Sequence, residues 1–316
     1  MRKKIFAVIA ALALMCGLLT SCGQTVDADS GKLRIVCSIF APYDFARQIT
    51  GDRAEVKMLL SPGVESHAYE PTPNDIISIE NADLFFYVSE HTETWISQIL
   101  ESVENPQVKE VELAAALGLE IHGHEHEHGE HEHEHEHEDE NELDEHIWTS
   151  PKIAVKMIEA MTEKICASDP DNSEFYAENS QKYISEIKSL DSDFRSLTAN
   201  SARKEIVSGS RFAMKNFTAE YGLDYTAAFD SCVDNTEPSA AVIAKIIDKI
   251  ETDNIPVIFY EELTEPKIAD MVSQETGAKM LLLHSCHNVS FDELKSGATY
   301  VSLMRQNYLN LKEALN

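Results

Sequence analysis

SEFYAENSQKYISEIKSLDSDFRSLTAN, residues 173–200, is the stretch on which the architecture turns. Tyr176, Tyr183, Ile187, Leu190, Phe194 and Leu197 recur mostly three or four apart, and neither Gly nor Pro interrupts them. That periodicity predicts one amphipathic helix, roughly 40 Å long at about 1.5 Å per residue. On both sides the pattern changes to short apolar runs alternating with helical stretches. Ahead of it, strands are expected at 33–39, 54–60 and 83–89, with helices at 41–50 and 74–81. Behind it, strands are expected at 205–209, 224–229, 256–260 and 279–283, with helices at 239–251 and 264–276. Such alternation implies mostly parallel sheets. The fold class is therefore α/β: two (β/α) lobes, an N-terminal one over 33–172 and a C-terminal one over 201–316, joined by one long rigid helix over 173–200, with a ligand cleft between them.

The chain has 316 residues and a net charge of −29, so nucleic acid is excluded as a partner, because a polyanion needs a basic face. With 43% apolar and 26% charged residues the chain can build ordinary cores, and its length favours two lobes over one, since single cores stop growing near ~250–300 residues.

Arg2, Lys3 and Lys4 precede an apolar stretch, Ile5 to Leu19, that is too short to cross a bilayer comfortably. Residues 1–21 read as an export signal. Leu19-Thr20-Ser21-Cys22 resembles the lipobox of bacterial lipoproteins, which implies that Cys22 carries a lipid anchor and that residues 22–32 form a tether. In the oxidising space outside the cytoplasm, Cys232 and Cys286, both following second-lobe strands, are expected to pair.

Residues 122–145 differ from everything around them. His122, His124, His126, His128, His131, His133, His135 and His137 are interspersed with acids, twelve in the segment, without a base. Such a stretch cannot build a core and reads as a loop that captures borderline cations weakly. His124-Glu125-His126-Glu127-His128 matches the HExxH pattern of zinc proteases, yet the repetition produces the match by itself, and like charges beside Gly123 and Gly129 oppose the helix the motif needs.

Five histidines lie outside that loop. His67 sits in a turn-rich segment after a strand, His146 directly follows the loop, and His284 and His287 follow a second-lobe strand; strand ends are where α/β proteins place ligands. His91 opens a helix and is expected to be solvated. Gly63 with His67-x-Tyr69-Glu70-Pro71, Ala82-Asp83-Leu84 through Glu93-x-Trp95, His146-x-Trp148-x-x-Pro151, Tyr221-Gly222-Leu223, Glu237-Pro238-Ser239, and Ile268-Ala269-Asp270 with Gly277-Ala278-Lys279 occur in this order. Over 33–316 the chain thereby resembles the metal-binding solute-binding lipoproteins of ABC importers, and the His-rich loop resembles the zinc branch.

The resemblance implies a Zn²⁺ cargo held between the lobes, delivery to an ABC importer permease in the membrane, a monomeric lipid-anchored protein outside the cytoplasm, and no catalysis. The family's third ligand, expected near Gly209, is missing, and His284 stands where a later carboxylate is usual. The expected metal ligands are therefore His67, His146, His284 and His287, enough donors for a tetrahedral zinc site, with Glu261 accepting an imidazole N–H behind them. Manganese or nickel cargo, a surface adhesin, and a metal-dependent enzyme with Glu261 as base are the competing readings.

Overall fold

The computed structural model describes residues 31–66, 69–121, 144–229 and 238–316. Two four-stranded parallel sheets carry it. In the first, β1 (Leu33–Cys37) is buried except at Arg34, as expected of a central strand covered on both faces. β2 (Ala54–Met58), β3 (Leu84–Tyr87) and β4 (Lys109–Glu112) complete the order β2-β1-β3-β4. The second sheet repeats that order with β5 (Glu205–Ser208), β6 (Asp224–Ala227), β7 (Val257–Tyr260) and β8 (Lys279–Leu282), as β6-β5-β7-β8. In both sheets the strand order reverses beside the first strand, which opens a crevice at the carboxyl ends.

Helices α1 (Phe40–Thr50), α2 (Pro73–Glu80), α3 (Ile96–Leu100), α4 (Leu113–Ala116) and α5 (Pro151–Ser168) belong to the first half. Several starts are written locally: Pro73 and Pro151 occupy first-turn positions, and the Ser150 hydroxyl accepts the Ile153 N–H. The second half contributes α7 (Lys215–Tyr221), α8 (Ala240–Asp253), α9 (Lys267–Thr276), α10 (Phe291–Lys295) and α11 (Tyr300–Leu315). Between them α6 runs from Ser173 to Asn200, over the expected residues. The six apolar residues predicted to line one face are all buried, packed against α1, α5 and α11.

One continuous core follows α6 through both halves, and smaller apolar clusters fill the far side of each sheet. Residues 33–316 are correspondingly one compact unit rather than two independent bodies. Asp44 of α1 supports this union from inside: it accepts the Tyr183 hydroxyl of α6 at 2.6 Å and the Tyr300 N–H of α11 at 2.8 Å. Because Asp44 is fully buried, leaving either donor unpaired would cost on the order of 1–3 kcal/mol.

The crevice end of the first sheet is tied by Glu93. Its carboxylate accepts the Ser38 hydroxyl beyond β1 and the Val88 and Ser89 N–H groups beyond β3. Burial raises the Glu93 pKa from 4.5 to about 7 despite those three donors. The unfolded chain therefore loses this proton first, and stability should fall as pH rises from about 4.5 to about 7, by up to roughly 3 kcal/mol. Glu93→Gln should flatten denaturant-derived stability across that window, whereas Glu93→Ala should destabilise the protein throughout it by stranding the donors.

Candidate metal centre

The carboxyl ends of both sheets meet around Asp144–Ser150. A 3-10 turn at Ile147–Thr149 follows His146, and Ile147 and Trp148 are fully buried, so hydrophobic burial carries the histidine inward with them. Thr92 donates to the Glu145 carbonyl at 3.0 Å from the first half, and Asn216 donates to the Asp144 carbonyl at 2.8 Å from the second. The Trp148 indole N–H donates to the Ser285 carbonyl at 2.8 Å, and the Tyr300 hydroxyl donates to the Trp148 carbonyl at 2.8 Å. Together these groups hold the His146 segment against both halves.

The loop after β8 answers from the other side. Phe40 N–H donates to the His287 carbonyl at 3.0 Å, Gly63 N–H to the Val289 carbonyl at 2.8 Å, and the Asn288 amide to the Ser61 and Val64 carbonyls at 2.8 and 2.7 Å. Cys286 adopts a left-handed conformation with φ of 61°, which few non-glycine residues tolerate and which turns the chain between His284 and His287. His287 thereby arrives beside His146, with ring centroids 5.5 Å apart, and the Trp148 ring stands 5.3 Å from one and 5.0 Å from the other. Both histidines are buried.

His146 Nδ1 lies 2.7 Å from Asp144 Oδ1, and His287 Nδ1 lies 3.2 Å from the Ser66 hydroxyl. Partners of this kind fix ring orientation and leave Nε2 as the coordinating nitrogen in metal sites. Burial alone would lower the His146 pKa, but the charge and hydrogen bond of Asp144, followed by Glu145 and Glu261, raise it to about 9. The pair thus sits in a negative field that favours a cation. Burial and then Glu262 push Glu261 above the ordinary carboxylate range, while His146 and Arg211 draw it down.

The expected residues are not all gathered. His284 is buried and only half engaged: Nδ1 accepts the Cys286 N–H at 2.9 Å, while Nε2 has no hydrogen-bond partner and stands 3.7 Å from Glu293 Oε1. Asn307 clamps its backbone from both sides, at 2.8 Å each. His91 is exposed, as expected. Gly209 does not face the cleft; a Cβ there would lie 2.6 Å from the Ala269 backbone nitrogen, so glycine is required for β5 to pass α9. The residue of that loop that reaches the cleft is Arg211, which sequence reasoning passed over. Cys286 carries a free thiol buried within the core, and the disulfide expected for it is not formed there. His67, Cys22, Cys232 and the His-rich segment over 122–143 lie outside the described residues. Among the described residues, no three His, Cys, Asp or Glu side chains converge to hold a metal by themselves.

Twin parallel sheets, a spanning helix and a buried imidazole pair between the sheets define a two-lobed cation-binding protein. The family model described as ZnuA, zinc-uptake complex component A periplasmic, matches residues 35–314, and the chain belongs to that family, one of binding proteins and not of enzymes. It is 36% identical over 303 residues to the high-affinity zinc uptake system protein ZnuA of Bacillus subtilis (strain 168), covering 94% of each chain. It is 32% identical over 304 residues to the zinc-binding lipoprotein AdcA of Streptococcus pneumoniae, covering 96% of this chain and 60% of that longer relative. The Zn(II)-bound ZnuA-like domain of S. pneumoniae AdcA superposes with a TM-score of 0.72 at 29% identity, over 90% of this chain and 99% of that one.

Replacing Trp148 by Phe keeps an aromatic ring but strands the Ser285 carbonyl in a buried place. Unfolding free energy should fall by about 1–3 kcal/mol, measured by urea titration followed by circular dichroism. No change would mean that this link does not hold the two halves together.

Proposed function

We propose that this chain captures Zn²⁺ between its lobes outside the cytoplasm and delivers it to the permease of an ABC importer. The observation that carries this reading is the buried His146–His287 pair, one ring from the loop ahead of α5 and the other from the loop after β8. Imidazole nitrogen suits zinc better than it suits manganese, which prefers oxygen donors. His67 is proposed as the third ligand, since Ser66, its neighbour in sequence, already touches His287. A carboxylate or water completes a tetrahedral set, and Glu261 is an acid of the second half whose charge acts on His146.

His284 is proposed to shape the turn that presents His287, and to stay off the metal, because its Nδ1 already accepts a backbone hydrogen bond. The segment over 122–143 is proposed to raise the local zinc concentration through weak sites of its own. The domain plan follows the sequence reading: an export signal over 1–21, lipid on Cys22, a tether to residue 32, and two lobes flanking α6. Among the described residues no helix is long and apolar enough to cross a membrane, so the proposed attachment rests on Cys22. Loss of zinc uptake by a deletion strain, restored by the wild-type gene but not by His146→Ala, tests delivery.

Calorimetric titration of the purified protein with zinc should show one tight site and several weak ones. His146→Ala and His287→Ala should each weaken the tight site by at least about a hundredfold, an effect of roughly 3 kcal/mol. His284→Ala should cost less affinity than either. Deleting residues 122–139 should remove the weak sites and spare the tight one; loss of the tight site instead would place a loop histidine in the primary shell.

A further inference from the structure

A positive charge stands in the same cleft that is built to attract cations. Arg211 leaves the loop after β5, and its Nη1 donates to Glu65 Oε1 at 2.7 Å, an ion pair between the second half and the segment of the first half two residues before His67. Arg211 lines a small cavity with Ser208, Tyr260, Glu261, Leu283 and Ser285, so its guanidinium shares walls with the acid that faces His146. Its side chain is only 16% exposed, whereas Glu65 is 37% exposed. A partly buried pair is screened less by salt than a surface one. Ser210 supports the arrangement by accepting the Glu261 N–H at 3.3 Å, which joins the Arg211 loop to the end of β7.

Resting on the zinc reading above, we propose that Arg211 sets cargo affinity: Glu65 draws its charge toward the cleft rim and away from the metal ligands, and the residual repulsion keeps bound zinc releasable. The two members of the pair consequently have opposite effects. Without the guanidinium, the field of Glu261, Glu145 and Asp144 acts on the metal unopposed. Without the Glu65 charge, the guanidinium turns to its next acid, Glu261, and moves toward the imidazole pair. A tenfold change in binding needs only about 1.4 kcal/mol of such repulsion, within reach of a partly desolvated charge in the cleft.

The test uses the full chain and Zn²⁺, with affinity read by competition against a chromogenic chelator and release by stopped-flow mixing with excess EDTA. Arg211→Gln should tighten the strongest site roughly tenfold and slow release, Glu65→Gln should weaken it by a similar factor, and the double variant should match Arg211→Gln. Thermal unfolding of each metal-free variant shows whether the fold is retained, and Arg211→Lys, which keeps the charge, should stay near wild type. Equal weakening by both single substitutions would mean that the pair merely holds the cleft together, and unchanged affinity would mean that the charge is not felt; either result overturns the inference while leaving the zinc reading intact. Absence of a tight site in the wild-type protein would overturn both.

Discussion

The hydrogen bond from the Trp148 indole to the Ser285 carbonyl is the contact on which the rest of the centre depends. It joins the loop that carries His146 to the loop that carries His287, and it lies inside the core, where an unmet carbonyl has no water to turn to. Tyr300 extends it by donating to the Trp148 carbonyl, and Asp44 receives the Tyr300 N–H and the Tyr183 hydroxyl. A single buried chain of donors thus runs from α1 and α6, through α11, to the imidazole pair.

This continuity bears on how such a protein handles its cargo. One apolar core extends along α6 through both lobes, and the loop at 284–289 is bonded to first-half carbonyls and amides as closely as to its own sheet. Wide opening about a hinge would break many buried contacts together. Motion confined to loops at the cleft rim costs less, since such loops bury less surface. The Arg211–Glu65 pair spans the two halves at that rim, where a small rearrangement would change the field on the proposed ligands without disturbing the core.

The fold was legible because its signals are local and periodic. An uninterrupted apolar stripe identified α6, and alternating strands and helices identified the sheets. β4 was not singled out: Lys109-Glu110-Val111-Glu112 carries one buried apolar residue and reads as a charged loop, and only pairing with β3 makes it a strand. α11 was likewise not singled out, although its amide residues Asn307 and Asn310 cap the end of the second sheet. The site was legible in part. His146 and His287 come together, but spacing alone could not tell His284 from His287. That distinction arises from the left-handed turn at Cys286, which sends one ring into the core and the other toward His146. Arg211 was missed because it acts through a partner 146 positions away. The Asp144 contact was recoverable, since an acid two residues before a candidate histidine can reach its Nδ1.

Diffraction from zinc-loaded crystals, recorded on both sides of the zinc absorption edge, tests the central claim most directly. A strong anomalous peak about 2.0–2.1 Å from Nε2 of both His146 and His287 is the predicted result. A peak confined to the His-rich segment, or one bound by His284 while His287 remains uncoordinated, would contradict it.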